Sequence, residues 1–326
     1  MTASVASNRI PRGTLAIGEE AAELSEQIVR HAAVAGARFC YLLLDPTLRS
    51  PAELLGATAR EYGIELSPAS IAIGRNQAGR DTQPLLIQMN LDRYVDTELC
   101  RMSAQIAVDD WNYDSLRQGN GHRVGGWLFS SAEMPVLARH LARQAVHRRP
   151  SGGQAWVRFH DSRVMDMLCN IYDAPQREQL RGDITAWLWL SRWRTLETLR
   201  RHKGNYADGA EMAGPLSLRQ WADVDNIGPL NRLWLRAVCA GTDVDRSALA
   251  EMSTVLARAR EYGFNDPEDL VEFGWRALRV HRDFDSHPEI RRIIAGRGQG
   301  DFFGYLVADL GEAQWNVIAE EMRHRH

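Results

Sequence analysis

Apolar residues fall into two textures along this chain. From residue 18 to about 190, short continuous apolar runs alternate with stretches whose apolar residues recur every three or four positions. Runs of the first kind are the mark of strands buried on both faces, and the second kind marks amphipathic helices. Residues 18–35 predict a helix with Leu24, Ile28 and Ala32 on one face. RFCYLLL at 38–44 predicts a buried strand that stops at Asp45-Pro46. Ser50-Pro51-Ala52-Glu53 then has the features of a helix start: a capping hydroxyl, proline in the first turn, and an acid three residues after the cap. LLIQM at 85–89 predicts the next strand, and Asp96 is placed to cap a helix carrying Leu99, Met102 and Ile106. GGWLFS at 125–130 predicts another strand, with Ser130 and Glu133 as a capping box for a helix whose face is Met134, Leu137, Leu141 and Ala145. QAWVRFH at 154–160 is read as a strand leading into a helix from about Ser162, and ITAWLWL at 184–190 as a further strand. Strands alternating with helices predict an α/β lobe with flanking helices and a mixed, partly parallel sheet.

The texture changes at HKGNYADGAEMAGP, residues 202–215, a stretch rich in glycine and polar residues. The predicted organisation is a tail and helix over 1–37, an α/β domain over 38–205, and an all-α lobe over 206–326. In the last part Ser217 can cap LRQWADV, while NRLWLRAVCAG and SALAEMSTVLARAREYG each end at a glycine, a common helix stop. Asp266-Pro267-Glu268 opens a helix reaching about His281, and HPEIRRIIAG and a helix through Trp315 complete five or six.

Composition narrows the function classes. A formal charge of −3 gives no electrostatic case for nucleic acid. No apolar run is long enough to span a membrane, and the N-terminal twenty residues lack the pattern of a secretory signal, so a cytoplasmic protein is expected. Cys40, Cys100, Cys169 and Cys239 are far apart in apolar runs and read as reduced, buried side chains, not as metal or redox pairs. Lys203 is the only lysine, so 38 of the 39 basic residues are arginine. GRNQAGRD at 74–81 lacks the Gly-Lys-Ser/Thr of a nucleotide-binding loop. His281, His287, His324 and His326 have no acid or thiol at ligand spacing and read as solvated; no metal or cofactor is expected. Most of the ten tryptophans should be core, with a few exposed beside arginine in the manner of protein-binding hot spots.

The densest chemistry lies in WVRFHDSRVMDML, residues 156–168. As a strand it would put Val157 and Phe159 on one face and Trp156, Arg158 and His160 on the other. Asp161 would cap the following helix through the amides of Arg163 or Val164. Asp45 holds the analogous place after the strand at 38–44. If the two strands are parallel neighbours, Asp45, Arg158, Asp161 and Arg163 converge at the carboxyl edge of the sheet, where open α/β sheets bind ligands. Two readings follow: an acid/base site of a hydrolase-like enzyme using His160 and the two aspartates, or a capping and ion-pair joint. The joint is preferred, because no nucleophile elbow accompanies the cluster and ion-pair networks resemble sites.

YLLLD at 41–45, GGWLFSS at 125–131, RFHDSR at 158–163 and RGDITAW at 181–187 are, in this order, similar to the adaptor domain of type VI secretion. That family has Arg-Phe-Tyr-Asp-Pro-Arg where this chain has His160 and Ser162. The resemblance covers about residues 38–190, and AREYGFNDPEDLVEF at 259–273 resembles the family's Tyr-Gly turn between two helices. It implies a cytosolic adaptor chaperone without catalytic activity or cofactor. Such a protein binds a toxin effector, often at its N-terminal segment, and helps load it onto the VgrG spike. An unrelated protein-binding scaffold is the other alternative.

Overall fold

The structure, a computed structural model, describes residues 17–47, 55–56, 59–60, 66–73, 83–200, 213–298 and 300–324. The helix start at Ser50-Pro51 and the glycine-containing loop at 74–81 lie outside the described residues, as does most of the 202–215 segment. The chain divides into two compact units, Met1–Pro215 and Leu216–His326.

The first unit is α/β. Helix α1 (Glu19–Ala35) precedes β1 (Phe39–Leu44), β2 (Ala69–Ser70) and β3 (Leu85–Met89). Then come α2 (Tyr94–Asp109), α3 (Tyr113–Arg117), β4 (Val124–Ser130), α4 (Met134–Gln144), β5 (Val146–Arg148) and β6 (Gln154–Trp156). Helices α5 (Ser162–Ile171) and α6 (Ala174–Arg181) lead to β7 (Ile184–Leu190) and β8 (Leu196–Arg200). Six strands form one sheet in the order β2-β3-β1-β4-β7-β8, while β5 and β6 pair separately. The core of the sheet is β4, buried at all seven residues, and β1, buried at all but its first. Strands covered on both faces favour the continuous, mostly apolar runs seen in the sequence.

The expected partly parallel sheet is corrected: every described strand pair is antiparallel. The reason is the slot taken by β1. Since β3 and β4 both run antiparallel to β1, they are parallel to each other, as a helical crossover through α2 requires. Because β1 lies between them, they never become neighbours. A second correction concerns 154–160. Only Gln154–Trp156 is strand, and it pairs with β5, not with the main sheet. Val157 and Phe159 do point inward, but a turn closed by Asp161 N donating to Arg158 O at 2.9 Å carries His160 inward as well.

Two helix starts also differ from expectation. Helix α2 begins after Arg93, and the Asp96 carboxylate accepts from Asn90 N at 2.9 Å inside the first turn. Helix α4 begins after Glu133 without a side-chain cap; Ser130 Oγ instead donates to Asp183 O at 3.0 Å, tying β4 to the start of β7. Asp161 does cap α5, accepting from Arg163 N at 3.0 Å. Strand β8 and the Asp173–Gln176 capping box of α6 had no counterpart in the expectations. Of the cysteines, Cys40 and Cys100 are buried, but Cys169 is partly exposed and Cys239 exposed.

The second unit is helical. It contains α7 (Leu218–Cys239), α8 (Arg246–Glu261), α9 (Pro267–Arg279), a 3-10 turn (Phe284–Ser286), α10 (Pro288–Ala295), α11 (Phe303–Leu306) and α12 (Glu312–Arg323). LRQWADV and NRLWLRAVC are one helix, with Pro229 inside it. Its core is aromatic: the Phe273 ring lies 4.8 Å from Phe284 and 5.0 Å from Phe303. The Tyr262-Gly263 turn closes α8, with Gly263 at φ +84 and Phe264 N donating to Ala259 O at 3.0 Å; a left-handed residue there suits glycine. His287, expected in solvent, is buried, and its Nε2 lies 2.9 Å from Glu321 Oε2. No helix among the described residues is long and apolar enough to cross a membrane.

Candidate functional site

The buried charges of the first unit gather around the end of β1. Asp45 follows that strand, its amide donating to Arg123 O at 2.8 Å. Its Oδ1 accepts from Thr47 N at 2.9 Å and from the Thr47 hydroxyl. Its Oδ2 accepts from Arg158 Nη2 at 2.7 Å and faces His160 Nε2 at 3.6 Å. Asp161 receives a two-pronged bond from Arg163, Nε to Oδ1 at 3.0 Å and Nη2 to Oδ2 at 2.7 Å, in addition to the α5 cap. The structure therefore brings Asp45, Arg158, Asp161 and Arg163 together, as the sequence suggested, though by a turn laid over β4 and not by adjacent parallel strands.

That turn approaches β4 at backbone distance. A Cβ on Gly125 would lie 2.3 Å from the carbonyl oxygen of His160, and one on Gly126, at φ +144, would lie 2.2 Å from Leu188 O. The Gly-Gly step at the start of the strand admits the 158–161 turn on one residue and β7 on the next. Phe159, fully buried, anchors the turn with its ring edge-on to Trp187 at 5.5 Å. Sequence reasoning placed Gly125 and Gly126 in a strand but missed this role; two adjacent glycines inside an apolar strand were the available signal.

Two more buried pairs extend the cluster. Asp110 accepts from Arg123 N at 2.6 Å and Arg123 Nε at 2.8 Å. Asp166 accepts from Arg192 Nε at 2.8 Å, and Arg192 Nη2 also donates to Arg163 O at 3.0 Å. Ser162 Oγ and His122 Nδ1 are 2.8 Å apart. Neither the Asp110–Arg123 nor the Asp166–Arg192 pair was expected, because no strand end or helix cap in the sequence marks these residues as partners.

The electrostatics follow from burial and pairing. Burial alone would raise the Asp161 carboxyl, but the charge and hydrogen bonds of Arg163, aided by His122 and Arg158, outweigh it and hold the carboxyl well below the ordinary range. Burial pulls the His160 imidazole down to about 4, against the opposing pull of Asp45, so it is neutral near pH 7. Chemically the cluster is a set of carboxylates already engaged by guanidinium groups. Burial pushes the Cys100 and Cys169 thiols up to about 12, far from thiolate character at neutral pH. Among the described residues no group of three or more His, Cys, Asp or Glu side chains is arranged to hold a metal ion.

Most tryptophans are core, as expected, while Trp156 is 41% exposed. In the helical unit Trp275 is half-buried, with the guanidinium of Arg236 4.7 Å and that of Arg279 5.5 Å from its ring. Such stacks offer a rigid amphipathic surface.

A family model described as a domain of unknown function (DUF4123) matches residues 40–179. The matched stretch holds Asp45, the Gly125-Gly126 step and the Arg158–Arg163 turn. Helix α1, strands β7 and β8 and the helical unit lie outside it. Comparisons with curated proteins and with solved structures give no match.

Proposed function

We propose that this chain is an adaptor chaperone of type VI secretion, which holds a toxin effector in the cytosol and presents it to the VgrG spike. The observation that carries this reading is the family match over residues 40–179, since that domain family is associated with type VI secretion effector adaptors. The geometry of the polar cluster supports it. Asp45, Asp161 and Asp166 each accept from an arginine, and His160 is buried beside Asp45, an arrangement suited to fixing a fold. Cargo holding needs apolar and arginine-rich surface, because burial supplies affinity and aromatic and Arg anchors supply specificity; Trp156 and the Arg236–Trp275–Arg279 stack are surface of that kind.

The test is affinity capture from the native bacterium with its secretion system expressed, beside a strain deleted for this chain. Capture of one effector, whose secretion is lost in the deletion strain while other effectors are still fired, is the expected result. Unchanged abundance and secretion of every effector in the deletion strain would sink the reading. The cluster at Arg158–Arg163 would then merit a substrate screen.

A further inference from the structure

Helix α1 borders two clefts that share Arg30 in their lining. The smaller, of about 180 Å³, is lined by Gln27, Arg30, His31 and Val34 of α1 and by Arg200 at the end of β8. Arg200 Nη2 and His31 Nδ1 are in hydrogen-bond contact. A guanidinium has no lone pair to offer, so Arg200 donates and His31 accepts, which leaves the imidazole proton on Nε2. Partial burial and the neighbouring charges of Arg200 and Arg30 hold His31 below its ordinary pKa, in keeping with a neutral ring. Among the described residues no carboxylate pairs with Arg200, and the pair Arg30 makes, with Glu26 at 3.7 Å, is exposed on both sides and therefore weak. Among the described residues, Glu26 is the one carboxylate that pairs with either of these two guanidinium groups.

The larger cleft, of about 420 Å³, lies between α1 and α2 and is lined by Ala22, Ser25, Glu26, Val29, Thr97 and Arg101 besides Arg30. Its lining is mainly apolar, and Arg30 borders both clefts. We propose that this face of α1 docks an acidic amphipathic segment of a partner protein, with one of its carboxylates among Arg30, His31 and Arg200 and an apolar side chain in the α1–α2 cleft. A free inorganic anion would satisfy the first cleft and leave the second empty; a neutral apolar peptide would do the reverse. The net charge of −3 means that the whole chain does not attract an acidic peptide, so binding has to come from this local arrangement. Helix α1 and Arg200 lie outside the matched 40–179 stretch, so most of this surface belongs to what distinguishes this chain from the shared domain. The inference goes beyond the adaptor reading and does not depend on it; within that reading, the docked segment belongs to the cargo.

The experiment is fluorescence anisotropy on the full chain with a short labelled peptide of leucine and glutamate at helical spacing. Two control peptides replace every Glu by Gln or every Leu by Ser. The parent peptide is expected to bind, with both controls weaker by at least about tenfold. The double variant Arg30→Gln, Arg200→Gln should lose about tenfold with an unchanged thermal melt, since both side chains are at the surface. Equal binding of the Gln control, or full affinity in the double variant, overturns the proposal. So does an Arg200-dependent site for inorganic phosphate with no peptide binding, which would mark a small-anion site. The deletion strain tests the adaptor reading separately, so the two can fail independently.

Discussion

Arg158 donates to Asp45 at 2.7 Å across 113 positions of sequence, joining the end of the second element of the chain to the turn before α5. Asp45 is buried while the Arg158 side chain is 42% exposed. Among the described residues, replacing Arg158 by Ala leaves this buried carboxylate hydrogen-bonded by Thr47 alone. A fully buried pair broken in this way costs about 3–5 kcal/mol, and the solvent reaching Arg158 reduces that to roughly 1–2 kcal/mol. Urea denaturation of Arg158→Ala should show a loss of that size with an unchanged m-value. Asp161→Ala should cost more, because it removes a helix cap worth about 0.5–2 kcal/mol together with a more deeply buried partner. Equal stabilities for parent and Asp161→Ala would contradict the joint.

Glycine substitutions separate close approach from helix propensity. Gly125→Ala places a methyl 2.3 Å from a backbone oxygen, which no rotamer can relieve, so the α/β unit should lose at least about 2–3 kcal/mol or fail to fold. Gly304→Ala, partly exposed within α11 and with nothing within 4 Å, should instead stabilise the helical unit by roughly 0.5–1 kcal/mol. Thermal melts of the two variants should move in opposite directions.

The buried His160 predicts a pH dependence with a definite sign. Its imidazole is lowered to about 4 in the folded state, while the unfolded chain takes up the proton near the ordinary 6.5. Above 6.5 both states are neutral and the group contributes no slope. As pH falls from 6.5 towards 4 the unfolded state binds the extra proton, so stability declines by on the order of 3 kcal/mol across that window. The depressed Asp161 contributes in the same direction but only at lower pH: its stabilisation is present above the usual carboxylate range and disappears under strongly acidic conditions. His160→Tyr, which installs the residue that the resembling family has there, should flatten the decline between pH 6.5 and 4. A slope as steep as that of the parent would assign the effect to another group.

The two units should be separable. Leu216–His326 contains its own aromatic core around Phe273, so expressed alone it should give a cooperative melt. Within it, Phe273→Ala should cost about 3–5 kcal/mol. A non-cooperative melt of the isolated fragment would show that this core needs the first unit.

What the sequence determined by itself was local. Continuous apolar runs located β1, β3, β4 and β7, because a strand covered on both faces needs apolar side chains at every position. Side chains next to their own backbone targets were equally legible, so Asp161 and Ser217 appear as the caps their spacing predicted. Helical texture located the second unit, down to the Tyr262-Gly263 turn. Everything that depends on which segments meet was decided by the tertiary structure. The run at 196–200 became strand β8 because β7 offers it an edge, although its own half-buried pattern is weak. The antiparallel sheet came from β1 occupying the slot between β3 and β4. Charge partners such as Asp110–Arg123 and Asp166–Arg192 were set by packing, since a carboxylate in sequence carries no record of which guanidinium will reach it. His160 shows the limit most clearly: alternation put it beside Arg158, and a single turn over Gly125 put Arg158 toward water and His160 into the core. Periodicity specifies which face a side chain takes only while the backbone stays regular, and at that turn long-range packing against β4 overrides it.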